Sequence, residues 1–203
     1  MKTIIAVSFF GILTYAYAQA SARSQVCQQP TCQPMTNFNP SNFFLGNWFV
    51  THAKNGPDST LCRMYKTSIS RNTITFNGDG YYGERDAEKY YQVRCTGQKN
   101  SVRNGKLSLS CKKQQPTLSG TPTNITNFNL ELTFIDTDYG QYAIMHRCAT
   151  YPTLKVTKDN LLILHRARTA IKSNIETILK QKCSNLGLND FISKPNIECK
   201  RLD

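Results

Sequence analysis

Apolar and polar residues alternate along much of the chain. In the clearest case Phe128, Leu130, Leu132 and Phe134 interleave with Asn129, Glu131 and Thr133, a period of two that marks a strand with one buried face. Short runs rich in Val, Ile, Thr, Tyr and Phe recur from Gly46 to Arg168, broken by Asn-Gly, Gly-Asp-Gly and Pro. They predict strands at Asn47–Ala53, Leu61–Ser70, Thr73–Asn77, Lys89–Thr96, Lys106–Lys112, Asn127–Ile135, Gln141–Cys148 and Asn160–Arg166. Short strands in such a series form an antiparallel barrel or sandwich. Asn104-Gly105 is a strong signal for a tight hairpin between two of them.

After Arg168 the period changes. Ala170, Ile171, Ile175, Ile178 and Leu179 recur at helical spacing opposite Lys172, Glu176 and Lys180, which predicts one amphipathic helix over Thr169–Lys182 packed on the outside of the sheet structure. At the other end, Lys2, the apolar stretch Ile4 to Leu13 and the small residues of Ala16-Tyr17-Ala18 read as a secretory signal over residues 1–18. A membrane span needs about 20 apolar residues, and Gln19, Ser21 and Arg23 interrupt the run first. Gln19 to Asn39 is a polar, Pro-containing lead-in without either period. Residues 19–203 are therefore expected to form one exported domain.

Composition sharpens the compartment more than the activity. Eight cysteines in 203 residues favour an oxidising environment and a disulfide framework. The formal net charge is +12, from 25 Lys+Arg against 13 Asp+Glu, yet only 19% of residues are charged and no basic run exceeds two. This pattern reflects scarce acids, not a nucleic-acid tail. No Cys-x-x-Cys, His-Glu-x-x-His, Gly-x-Ser-x-Gly or phosphate loop occurs, so neither an enzyme nor a metal or other cofactor is expected. His52, His146 and His165 fall on three separate strands, and Asp136 and Asp138 are expected to stabilise a turn. Asn124-Ile125-Thr126 is the permitted glycosylation sequon.

Three short motifs carry a resemblance. Gly46-Asn47-Trp48 opens the first strand, Thr137-Asp138-Tyr139 precedes the seventh, and Arg166 ends the eighth just before the helix. In that order they resemble the lipocalin family, an eight-stranded antiparallel up-and-down barrel with one C-terminal helix outside it. The signal segment, Phe38-Asn39-Pro40 through Trp48, Ile135 to Tyr139, and Asp190-Phe191-Ile192-Ser193 before Cys199 narrow the match to salivary lipocalins of blood-feeding triatomine bugs, the nitrophorin, triabin, pallidipin and triafestin group. The resemblance implies that Trp48 plugs the closed end and Arg166 packs across it, both structural. It implies no haem, because Thr73–Asp79 lacks the histidine that nitrophorins use.

The family pattern also implies disulfides: Cys27 or Cys32 with Cys148, and Cys62 with Cys199. Cys95 and Cys111 flank the Asn-Gly hairpin and would pair across it, which leaves Cys32 or Cys27 with Cys183. If Cys62 and Cys148 bond to segments outside the barrel, alternation turns Leu61, Arg63, Met145 and Arg147 inward. Trp48 points inward at the floor, so Val50 and His52 are expected on the same inner face. A bulge would reset that parity, and long arginines can reach for the rim. These six residues are the expected ligand-binding set.

The resemblance implies a secreted salivary protein that impairs haemostasis. The leading expectation is a monomer that sequesters a small host mediator, an eicosanoid such as thromboxane or leukotriene, or ADP, because interior arginines require an anion or a nearby acid. The alternative is inhibition of coagulation or contact activation, by binding thrombin or factor XII/kininogen through the basic exterior. Biogenic amines come third, since an amine needs a carboxylate and the only acid-rich loop is Glu84–Glu88. Nucleic acid and a membrane span are not expected.

Overall fold

The computed structural model describes residues 27, 31–83, 87–169, 174–184, 186–193 and 199–200. The segment expected to direct secretion, residues 1–18, lies outside them. A short helix α1 (Pro40–Phe43) is capped by the Asn39 side chain, which accepts a hydrogen bond from the Ser41 N–H at 3.0 Å. Nine strands follow: β1 (Gly46–Ala53), β2 (Met64–Ser70), β3 (Thr73–Asn77), β4 (Gly80–Tyr82), β5 (Lys89–Gln98), β6 (Lys106–Gln115), β7 (Thr123–Thr137), β8 (Tyr142–Tyr151) and β9 (Val156–His165), and then helix α2 (Ile175–Lys182). They run in the order β3-β2-β1-β9-β8-β7-β6-β5-β4, and an extra β3–β5 pairing closes eight of them into an antiparallel barrel. The ninth, β4, was not expected; it pairs only with β5.

Closure splits the chain into two apolar clusters. Trp48, Val50, Tyr65, Ile74, Phe76, Leu107, Leu109, Leu132, Phe134, Met145, Leu162 and Leu164 fill the barrel. Ile144, Leu161 and Ile163, the alternate residues of β8 and β9, face outward and bury Ile175, Leu179 and Phe191. A bulge between Phe134 and Asp136 turns Ile135 to that outer cluster as well. The described part of the expected helix thus packs on the barrel, whereas Ala170 and Ile171 lie outside the described residues. The strand expected at Leu61–Ser70 begins at Met64, because Asp58–Thr60 forms a 3-10 turn that carries the chain into β2. Among the described residues no helix is long and apolar enough to cross a membrane.

Four disulfides staple this frame: Cys27–Cys148, Cys32–Cys183, Cys62–Cys199 and Cys95–Cys111. Of the two pairings left open for Cys27 and Cys32, the first strap therefore reaches β8 and the second the end of α2. Cys95 and Cys111 stand directly opposite each other on β5 and β6, in the barrel interior.

The closed end is built around Trp48. Its ring is fully buried and stacks on Phe43 at 4.9 Å, and its indole N–H donates to the Phe43 carbonyl at 3.0 Å. The Arg166 guanidinium lies 3.6 Å from the Trp48 ring centroid and donates to the carbonyls of Tyr139, Asn47 and Phe43 at 3.0, 3.1 and 3.2 Å, and to that of Leu45. One planar cation thus ties together the entry to β1, the β7–β8 turn and the end of β9, which a lysine could not do with a single ammonium. In that β7–β8 turn the Asp138 carboxylate accepts from the N–H groups of Gln141 and Tyr142 at 2.8 and 3.0 Å.

The Asn104-Gly105 turn shows how little freedom the closed end has. Both residues have positive φ, +48° and +68°, as the tight hairpin requires. A Cβ on Gly105 would stand 2.4 Å from the Met35 carbonyl oxygen and 3.0 Å from that of Phe134. Gly105→Ala should therefore destabilise the protein by about 2–4 kcal/mol, read as a fall in melting temperature of about 2–4 °C per kcal/mol.

Candidate functional site

At the open end the barrel encloses a small cavity with mostly apolar and aromatic walls into which a few cations project. Tyr65, Phe76, Gly78, Tyr82, Val93, Cys95, Lys113, Phe128, Leu130, Arg147 and Tyr151 line it. Alternation on β2 places Tyr65 and Thr67 on the inner face, and Arg63, just before the strand and held by a hydrogen bond from the Val50 N–H to its carbonyl, is buried with them. On β8 the same rule puts Met145, Arg147 and Ala149 inside, since they pair with Phe134, Leu132 and Leu130. Lys113 follows Leu107, Leu109 and Cys111 along β6 and stands opposite Val93.

The cations are gathered on a tyrosine. The Arg63 guanidinium lies 4.3 Å and the Lys113 ammonium 4.7 Å from the Tyr82 ring centroid, and Lys113 is also 3.8 Å from that of Tyr91. Tyr82 reaches them because β4 carries it over the cavity, its hydroxyl donating to the Gly78 carbonyl. Such cation–π contacts offset part of the cost of desolvation, about 0.5–2 kcal/mol each. They leave hydrogen bonds unmade: Nε and Nη1 of Arg63, Nε of Arg147 and the hydroxyl of Tyr65 are buried without a partner.

No carboxylate compensates this charge among the described residues lining the cavity. Burial depresses the Arg63 pKa, and the Arg147 charge depresses it further. Burial, then the charges of Arg63, Lys158 and Arg147, push Lys113 down to about 8. Burial likewise pushes the Tyr82 hydroxyl up to about 12. Glu88, from the acid-rich loop, is occupied by Lys200 at 3.0 Å; residues 84–86 lie outside the described residues.

Of the six residues expected to contact ligand, Arg147 lines the cavity and Arg63 lies buried beside it. Val50, Leu61 and Met145 are inside but fill the core and do not line the cavity. His52 is a correction. Between Val50 and His52 the β1–β9 register shifts: Val50 pairs with Leu164, His52 with Ile163. Thr51 is the extra residue, so His52 turns outward with Ile163 and only Ala53 returns to the interior. There the Thr51 hydroxyl bridges Nδ1 of His52 at 3.0 Å and Nδ1 of His165 at 2.8 Å. Burial and then the His52 charge push His165 down to about 4. Among the described residues no cluster of three or more His, Cys, Asp or Glu could hold a metal ion.

Sequence reasoning missed Lys113, Tyr82 and Tyr151. Lys113 lies one residue past the expected end of its strand, and extending the alternation of Leu107, Leu109 and Cys111 by one step would have found it. Tyr82 was hidden by reading Gly78-Asp79-Gly80 as a turn alone, although Tyr81 pairs with Tyr90 across the β4–β5 ladder and the Tyr82 ring meets that of Tyr91 on the diagonal.

A family model described as Triabin matches residues 11–178. The chain belongs to the triabin family. Triafestin-1 of Triatoma infestans is 36% identical over 199 residues, 97% of this chain and 92% of that protein. Triabin of Meccus pallidipennis is 31% identical over 183 residues, 90% of this chain and 100% of that protein. These relatives are triatomine salivary lipocalins. Among solved structures, a biogenic amine-binding protein superposes with a TM-score of 0.61 at 23% identity, covering 82% of this chain and 86% of that one, which establishes the lipocalin fold.

A triabin-family barrel with unpaired interior cations carries a stability cost that substitution can expose. An apolar residue of similar volume in place of a buried ion is neutral or stabilising by about 1–4 kcal/mol. Arg63→Met should therefore raise the melting temperature of the ligand-free protein. Lys113 supplies the pH signature: its folded pKa of about 8 lies below the unfolded value near 10.4, so the unfolded chain binds more protons between these values and stability rises with pH there. The melting-temperature gap between Lys113→Met and the parent should be widest below pH 8 and narrow as pH climbs to 10.

Proposed function

We propose that the protein is a secreted salivary lipocalin that impairs host haemostasis by sequestering a small anionic mediator inside the barrel. An eicosanoid such as thromboxane or leukotriene, or ADP, is the class of agonist meant, and its removal would restrain platelet aggregation or vasoconstriction. The observation that carries this reading is the buried Arg63 guanidinium, 5% exposed, with two unpartnered nitrogens beside Arg147 and Lys113 and no carboxylate among the described residues that line the cavity. An anion would satisfy these donors and repay the desolvation that the fold otherwise bears alone. The gathered cations Arg63, Lys113 and Arg147 would also repel an amine. Oxidative export through the segment at residues 1–18 accords with the four disulfides.

In the ligand-free state the cavity holds only about 30 Å³ for water-sized spheres, room for one or two waters. Small-molecule sites span roughly 300–1,000 Å³, so ligand entry must displace the side chains of Lys113, Arg147, Tyr82 and Tyr151. All four are free of β-branching and sit at the mouth, where such movement leaves the strands intact.

The filled interior also supports a second reading, in which the exterior docks on a host clotting protein such as thrombin or factor XII/kininogen. A groove of about 440 Å³ crosses β5, β6 and β7, with Arg94, Lys112, Asn127, Asn129, Pro152 and Thr153 on its walls and no acid among them. Binding of that kind weakens with salt.

Calorimetric titration of the purified protein with a stable thromboxane analogue, leukotrienes, ADP and biogenic amines separates the readings. One or more anions should bind, amines should not, and Arg63→Met should weaken binding at least tenfold. Affinity should fall as pH rises through 8, because Lys113 is charged below that pH and must take up a proton to meet an anion above it. Silence across the whole panel would reject sequestration and leave the exterior.

A further inference from the structure

Resting on the reading of the barrel as an anion site, we infer that its ligand carries a phosphate head with two or more negative charges on an apolar or aromatic body, and not a single carboxylate. The argument is one of charge and donor count. Arg63 and Lys113 share the Tyr82 ring, each within 4.7 Å of its centroid. Arg147, lining the same cavity, acts electrostatically on both, and Lys158 acts on Lys113 from the exposed β8–β9 end of the barrel. One carboxylate neutralises one of these cations and leaves at least two facing a space from which the ligand has driven out water. A desolvated, unpaired ion costs several kcal/mol, so a monoanion would add to the burden that it ought to relieve.

A phosphate monoester carries about −1.5 to −2 charges at pH 7 and three acceptor oxygens, and a diphosphate more. The donors waiting are Nε and Nη1 of Arg63, Nε of Arg147 and the Tyr65 hydroxyl, which come from Tyr65 on β2, Arg63 just before it and Arg147 on β8. Forked guanidinium donors suit phosphate oxygens better than they suit a lone carbonyl. The remaining wall is Phe76, Val93, Phe128, Leu130 and the Cys95 side of a disulfide, which offers a body of low polarity a place to stack. That chemistry has two sources, a nucleoside di- or monophosphate and a lysophospholipid with a terminal phosphate.

Calorimetry at pH 7 on the full-length secreted protein tests this with ADP, AMP, adenosine, lysophosphatidate and its phosphate-free monoacylglycerol, and arachidonate. Within whichever body binds, affinity should follow head-group charge: ADP at least tenfold tighter than AMP with adenosine silent, or lysophosphatidate bound with the monoacylglycerol silent. The first result identifies a nucleotide source and the second a lipid one; either upholds the inference. Lys113→Gln, which keeps the fold in view through its melting curve, should shrink the preference for the more highly charged ligand at least threefold. If arachidonate binds more tightly than every phosphate compound, the inference falls while the anion site stands; if no anion binds, both fall.

Discussion

Barrel closure through the β3–β5 pairing is the constraint from which the rest follows. With no free edge between these strands, each residue of the eight is committed to an inside or an outside, and the period of two becomes a rule about solvent access. Phe134 and Met145 go in while Ile144 and Ile163 go out to meet α2. The straps Cys27–Cys148, Cys32–Cys183 and Cys62–Cys199 run along the outside, each joining residues more than a hundred positions apart. Only Cys95–Cys111 is internal, and it forms part of the cavity wall.

Against this constraint the interior cations stand out as an energetic exception. An apolar filling of the same volume would serve the fold as well or better. Arg63 instead occupies a buried position with the Tyr82 face, the Tyr65 hydroxyl and a neighbouring guanidinium around it, and no carboxylate among the described residues lining the cavity. A buried polar cluster left incomplete is expected where a ligand completes it. The closed end shows the contrast: Arg166 is also largely withdrawn from water, but every edge of its guanidinium meets a carbonyl and its face meets Trp48. Two arginines of the same barrel thus have opposite bookkeeping, one satisfied by the chain itself and one waiting.

Much of this was legible in the sequence because alternation survives translation from pattern to structure. The run Phe128 to Phe134 places Leu130 and Leu132 inside, and the parity of Cys148 turns Arg147 inward; Arg63 is buried as expected, although Cys62 lies in a turn before β2 and not on the strand. Asn104-Gly105 makes the hairpin its dihedral angles demand. The failures are local breaks in the same rule. One inserted residue, Thr51, sends His52 to the outer face, and nothing in Val50-Thr51-His52 announces a bulge. Leu61 is buried through a 3-10 turn and not through a strand. Lysine at position 113 has a composition-level preference for solvent that the continuing strand overrides, and a three-residue strand such as β4 is shorter than any window in which a period can be recognised.

The two ends of the barrel explain how one fold combines rigidity with an adaptable site. At the floor, Phe38, Phe43, Phe44 and Trp48 interlock with Phe134, and backbone carbonyls converge on Arg166, so displacement of one group breaks several hydrogen bonds at once. At the mouth the cavity walls are long side chains: Lys113, Arg147 and Tyr151, with Tyr82 held by a short ladder to a single neighbour. Rotating these opens space without disturbing a barrel ladder, and each one that moves carries either a positive charge or an aromatic face to the entering molecule. Differences among relatives in this fold therefore need only change which side chains project from the ends of β2, β6 and β8, while the alternation that puts them inside stays the same.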